Sequence, residues 1–99
     1  MMLRPRLQPF RSKEWLAAVH SIENCVRCGA HGIQAAHRNQ GKGTSMKASD
    51  CLVAALCPAC HHAIDNGKHM TLAERREEMD TAILATIEEL AINGRIGAL

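Results

Sequence analysis

The chain has no tyrosine, one tryptophan and one phenylalanine among its 99 residues. That scarcity argues against nucleic-acid binding built mainly on bases stacked over aromatic rings. Long apolar runs are missing as well. The longest, residues 52–57 (LVAALC), is far too short to cross a bilayer, which takes roughly 20 apolar residues. No stretch has the pattern of a secretory leader, and the five cysteines are an odd number. Both features speak against a secreted disulfide framework and for a protein of a reducing compartment, read here as cytoplasmic and without a membrane partner. Neither internal repeats nor low-complexity segments are present. A single domain of this length has a marginal apolar core, so a staple is expected.

The charge is unevenly placed. Residues 1–69 carry nine Lys/Arg against four Asp/Glu (+5), and residues 70–99 carry three against six (−3), which together give the net +2 of the whole chain. A basic first part followed by an acidic last third suggests a polyanion for the former and a solvated helix for the latter. The cations expected to meet phosphates are Arg4, Arg6, Arg11, Lys13, Arg38, Lys42 and Lys47. Such contacts are independent of base sequence and weaken with salt.

Local signals divide the chain further. Residues 1–11, with Pro5 and Pro9 among arginines, read as an extended basic arm. Ser12 offers an N-cap to a helix over 13–22, with Leu16, Val19 and His20 at helical spacing and with Trp15 and Phe10 as its anchors. Residues 32–37 and 51–56 read as strands, and the polar segment 38–49, with Gly41 and Gly43, as a loop. Pro58 suits the first turn of a short helix, and Asn66-Gly67 its left-handed end. Thr71 and Glu74 match a capping box at the head of a long helix over 71–93. Its apolar stripe is Met79, Ile83, Leu84, Ile87, Leu90 and Ala91, and it stops at Asn93-Gly94.

Two C-x2-C pairs, Cys25/Cys28 and Cys57/Cys60, carry the clearest chemistry. Each lets two thiolates reach one tetrahedral ion from a tight turn, and two together form a closed four-thiolate set for structural Zn²⁺. A redox pair needs only one such knuckle, and four merely buried cysteines do not need matched spacing. The 28 residues between the knuckles exceed the usual roughly 15 to 20, which leaves room for the two strands and their loop. Cys51 falls outside the set. It reads as a small core residue, with a reactive thiol of a redox or zinc-sensing protein as a weaker alternative.

His37, Asp50, His61, His62, Asp65 and His69 remain. His61 and Asp65 are four residues apart and share one helical face, a spacing at which both can bind a single divalent cation. Hydrolysis of a phosphodiester requires such a cation to neutralise charge, together with a neutral imidazole to deprotonate water. For His62 and His69, ordinary surface positions compete with a ligand role.

The order C-x2-C, Ala-Ala-His37, Gly-rich loop, Asp50, Leu-Cys57-x2-Cys60-His61 resembles the HNH endonucleases. The segment AAHRNQGKGTSMKASDCLVAALCPACHHAID is especially similar to their small phage and prophage members. The resemblance covers about 25–69 and leaves the arm and the last helix outside. It implies an α+β fold, a ββα-metal finger within a zinc-bound treble clef, here with an added N-terminal helix and a long C-terminal one. It places His37 at the general base and His61 at a metal ligand. Where family members often carry an acidic or histidine ligand just before the base, this chain has Ala36, so the shell for Mg²⁺, Mn²⁺ or another divalent ion leans on Asp65 or His62. The middle asparagine is missing. Asp50 is the nearest polar candidate, to orient His37 or bind metal, with a turn or helix cap as its alternative. The resemblance implies hydrolysis of DNA, with His37, His61 and Asp65 converging in an open cleft. The rival expectation is a non-catalytic zinc module that binds nucleic acid or a phage or recombination protein.

Overall fold

The computed structural model describes residues 9–38 and 48–97. Five elements follow in order: α1 (Lys13–His20), β1 (Gln34–His37), β2 (Val53–Leu56), α2 (Pro58–Asn66) and α3 (Leu72–Ile92). The two strands form an antiparallel ribbon in which Gln34 faces Leu56 and His37 faces Val53. The architecture is therefore a small α+β domain, a ribbon with three helices packed around it. The arginines and lysines at 4, 6, 42 and 47, and most of the glycine-rich loop, lie outside the described residues.

The ribbon has two different faces because side chains alternate along a strand. Ala36, Ala54 and Leu56 pack with Cys25, Cys57, Cys60, Ile64, Met79, Ala82 and Ile83, the side of α2 and the middle of α3. Val53 and Ala55 pack with Val19, Ile22 and Leu90, the side of α1 and the end of α3. Every residue of β2 is buried, which fits its run of small and branched apolar residues between two layers.

The edge of β2 that turns away from β1 is closed by specific partners. The Ala55 carbonyl accepts the Val26 amide at 3.0 Å, and the Ala55 amide donates to the Thr86 hydroxyl at 3.0 Å, which itself donates to the Ala82 carbonyl at 2.8 Å. Thr86 is fully buried. A Thr86→Val substitution keeps the shape and strands the Ala55 amide, so a loss of about 1–3 kcal/mol in urea unfolding is expected; an unchanged midpoint would show that the hydroxyl contributes nothing.

Helix ends follow their local chemistry. Ser12 caps α1 through its side chain, Cys57 caps α2 with Pro58 in the first turn, and Thr71 and Glu74 complete a capping box on α3. At the other end of α3, Gly94 is left-handed (φ 72°). The Arg95 amide reaches the Leu90 carbonyl at 2.8 Å and the Gly94 amide the Ala91 carbonyl at 3.1 Å, the paired bonds of a Schellman end.

Several expectations need correction. The strands begin at Gln34 and Val53, later than 32 and 51, because residues 50–52 form a turn closed by the Leu52 amide on Ser49, and Gly32 sits at φ 92° with its amide on Glu23. Gly67 is extended (φ −62°), not left-handed. A glycine is needed there because a Cβ would collide with the Ala63 carbonyl. On α3, Leu84 is exposed and Ala91 is exposed, while Ala82 and Thr86 take the inner face beside Met79, Ile83 and Leu90. Phe10 is half exposed and meets Trp15 edge to face (centroids 6.2 Å apart), while Val19 is fully buried and is the deep anchor of α1. The helix also stops at His20, which is exposed.

Candidate metal centre

Cys25 and Cys28 stand in a tight loop before β1, closed by the Asn24–His31 bridge and by the Cys25 amide on Ala30 at 2.8 Å. Cys57 directly follows β2 and caps α2, and Cys60 lies in the first turn of that helix. The Val26–Ala55 hydrogen bond lays the first knuckle against β2, and this brings the two knuckles together. All four sulfurs lie within 4.8 Å of one another, with Cys28 Sγ and Cys57 Sγ 3.6 Å apart. Tetrahedral zinc with bonds of about 2.3 Å separates its sulfurs by about 3.8 Å, so the set fits that ion.

The surroundings suit thiolates. The amides of Arg27 and Cys28 point at Cys25 Sγ (3.4 and 3.5 Å), and that of Cys60 at Cys57 Sγ (3.5 Å). Burial raises the Cys25 thiol, but backbone groups of Cys57, Cys28 and Arg27 outweigh it and bring the pKa down to about 6. Burial also pushes the Cys60 thiol up, to about 12, against the opposing Arg27 guanidinium. Cys25 and Cys60 are thus pushed in opposite directions, and a cation that balances the charge of the four sulfurs brings both to the thiolate state. Three of the four cysteines are buried and Cys28 is exposed; Cys51 is not in the group.

His37, Asp50, His61 and Asp65 form two separate pairs. His61 and Asp65 share one face of α2, as their spacing requires, with Nε2 to Oδ2 at 3.1 Å, and His61 Nδ1 lies 2.8 Å from the side-chain oxygen of Gln34 on β1. His37 Nε2 is instead 2.9 Å from Asp50 Oδ1. Gln34 and His37 are three apart on one strand and therefore point to opposite faces of the ribbon. Ala36, on the Gln34 face, packs toward α2 and brings no ligand. Among the described residues, the four cysteines are the only group of three or more His, Cys, Asp and Glu placed to hold an ion. His62 is exposed on α2 and joins no such group.

Asp50 is a latch. Buried at 6 % exposure, it accepts the Ser12 amide at 2.9 Å and Arg11 Nη1 at 3.1 Å as well as meeting His37. Its own amide donates to the Phe10 carbonyl at 2.8 Å, the Phe10 amide to the Ser49 hydroxyl at 3.0 Å, and Arg11 also to the Ala48 carbonyl at 2.7 Å. Asp50 therefore meets His37 and ties residues 10–12 to 48–50, and among the described residues it joins no group placed to hold an ion. Arg38 is held by Asp80 on α3 at 2.9 Å and Lys13 is exposed on α1.

Gln34, Arg27 and Glu78 were not legible as parts of these sites. Gln34 has the parity of Ala36, which was a usable signal; nothing in the sequence joins Arg27 to Glu78. Comparisons with family models, curated proteins and solved structures return no match for the chain.

Proposed function

We propose that this chain is a zinc-stapled, non-catalytic module that binds nucleic acid, DNA in the first instance. The observation that carries the choice over catalysis is the direction of His37: its ring is tied to Asp50 on the α1 side, while His61 and Asp65 stand on the other side of the ribbon and, among the described residues, are joined by no third His, Cys, Asp or Glu ligand. The basic first part of the chain supplies the attraction for phosphates. Arg11 and Arg38 are engaged by Asp50 and Asp80, so fewer cations meet phosphate than their number implies.

A second reading, hydrolysis of phosphodiesters as in the HNH endonucleases, is favoured by the His61–Asp65 pair, which is partly open to solvent (29 and 27 %). Mg²⁺ is commonly held by one or two protein ligands with waters and substrate phosphate completing its shell. In that reading Asp50 orients His37 as the base.

One experiment separates the two. Wild type and His37→Ala are titrated with a DNA duplex over a range of salt and incubated with plasmid in Mg²⁺ or Mn²⁺. Expected is salt-dependent binding by both proteins, with no cleavage. Metal-dependent cleavage by wild type, reduced about 10²- to 10⁴-fold in His37→Ala with binding retained, would replace the module with the nuclease.

A further inference from the structure

We propose that Arg27, braced by Glu78, is a positioning residue of the metal centre that governs how slowly it gives up its ion. The inference rests on the zinc reading of the four cysteines.

Arg27 lies inside the first knuckle, yet its side chain serves the second. Nη1 donates to Cys60 Sγ at 3.4 Å, and Nε donates to Glu78 Oε1 on α3 at 2.8 Å. One planar guanidinium therefore joins both knuckles to the long helix. The backbone amides described above are aimed at Cys25 and Cys57; the donor aimed at Cys60 is this side chain. Four thiolates around a divalent cation carry a net charge of −2, and the guanidinium beside Cys60 Sγ offsets part of it. Exchange of the ion requires a sulfur to leave it. A hydrogen bond that fixes Cys60 Sγ in place, itself anchored to α3 through Glu78, opposes that step.

The fork matters as much as the charge. A lysine ammonium is a compact point charge and does not reproduce two fixed, divergent N–H directions. Because Arg27 and Glu78 are both partly exposed, with 32 and 42 % of their side-chain surface open, their ion pair adds little to global stability. The effect belongs on metal release and not on the fold.

The test uses the full zinc-loaded chain at fixed pH and salt, with transfer of zinc to an excess of a chromophoric chelator followed in time. Arg27→Met is expected to release zinc about 10- to 100-fold faster than wild type, the range typical of lost partners of metal ligands. Arg27→Lys should fall between the two, and Glu78→Gln should accelerate release by a smaller factor, all with unchanged zinc stoichiometry and circular dichroism. Release from Arg27→Met and Glu78→Gln at the wild-type rate overturns the proposal and leaves the zinc centre standing. Should Arg27→Met fail to retain zinc at all, Glu78→Gln decides: faster release supports the proposal and an unchanged rate overturns it. A wild-type chain that binds no zinc removes both.

Discussion

Cys57→Ser is expected to abolish zinc binding and with it the cooperative thermal transition. Serine is itself a good N-cap, so the cap on α2 survives the change and the effect reports the lost ligand. Structural zinc contributes an apparent ~10–16 kcal/mol of binding energy, which in a small domain is folding energy. Net stabilities are only about 5–15 kcal/mol, so a loss of that size is as large as the whole stability of a typical domain. Cys57 also stands at the junction of β2 and α2, with its carbonyl accepting the His61 amide at 2.9 Å. Loss of the metal therefore loosens the strand, the helix and the first knuckle together. Circular dichroism melting with and without a strong chelator checks this: the chelated wild type and Cys57→Ser should behave alike. A variant that melts as the zinc-loaded wild type does would show that the cysteines merely fill the core.

The second large effect is expected from Asp50→Ala, about 2–4 kcal/mol in urea unfolding. One buried carboxylate serves the Ser12 amide, Arg11 and His37 at once. Truncating it strands all three and frees the segment that carries the basic arm. Burial pushes the Asp50 carboxyl up, but His37, the Ser12 amide and Arg11 outweigh it and hold its pKa below the ordinary value. A carboxyl depressed on folding contributes stability that is present above its unfolded pKa, about 3.9, and is lost as the pH falls through its lower folded value. Wild type should thus lose more stability between neutral pH and strong acid than Asp50→Asn does. Parallel pH profiles for the two proteins would remove Asp50 from this role.

What the sequence made legible was local. Thr71 with Glu74, Pro58 after Cys57, and Asn93-Gly94 each name a helix end because the partner groups are within a few residues of one another. The knuckles were legible for the same reason, since a C-x2-C spacing is itself a geometry, and their union across 28 residues followed from the valence of one ion. The errors came where a distant partner decides. Gly67 carries a turn-forming composition, yet its glycine is required by the approach of the Ala63 carbonyl. Phe10 is the chain's single phenylalanine and looks like an anchor, but it is half exposed, its backbone tied to Ser49 and Asp50. Leu84 fits a generous apolar stripe, while the narrower ridge through Met79, Ile83, Thr86 and Leu90 is the one that the ribbon accepts.

His37 is the instructive case. Its placement beside the helix rested on resemblance, whereas strand parity alone separates it from Gln34 and Ala36 and sends it toward α1. The carboxylate that receives it could be named in the sequence as a candidate but not located, because Asp50 is brought there by its bonds to Phe10, Arg11 and Ser12. Similarly, Arg27 and Glu78 are 51 residues apart and meet only because α3 crosses the knuckle.

The most direct test of the four-cysteine centre is zinc K-edge X-ray absorption on the purified, zinc-loaded chain. Expected is a single shell of four sulfurs at about 2.3 Å, with His61 and Asp65 outside it. A shell containing nitrogen or oxygen, or a chain that carries no zinc, would contradict it.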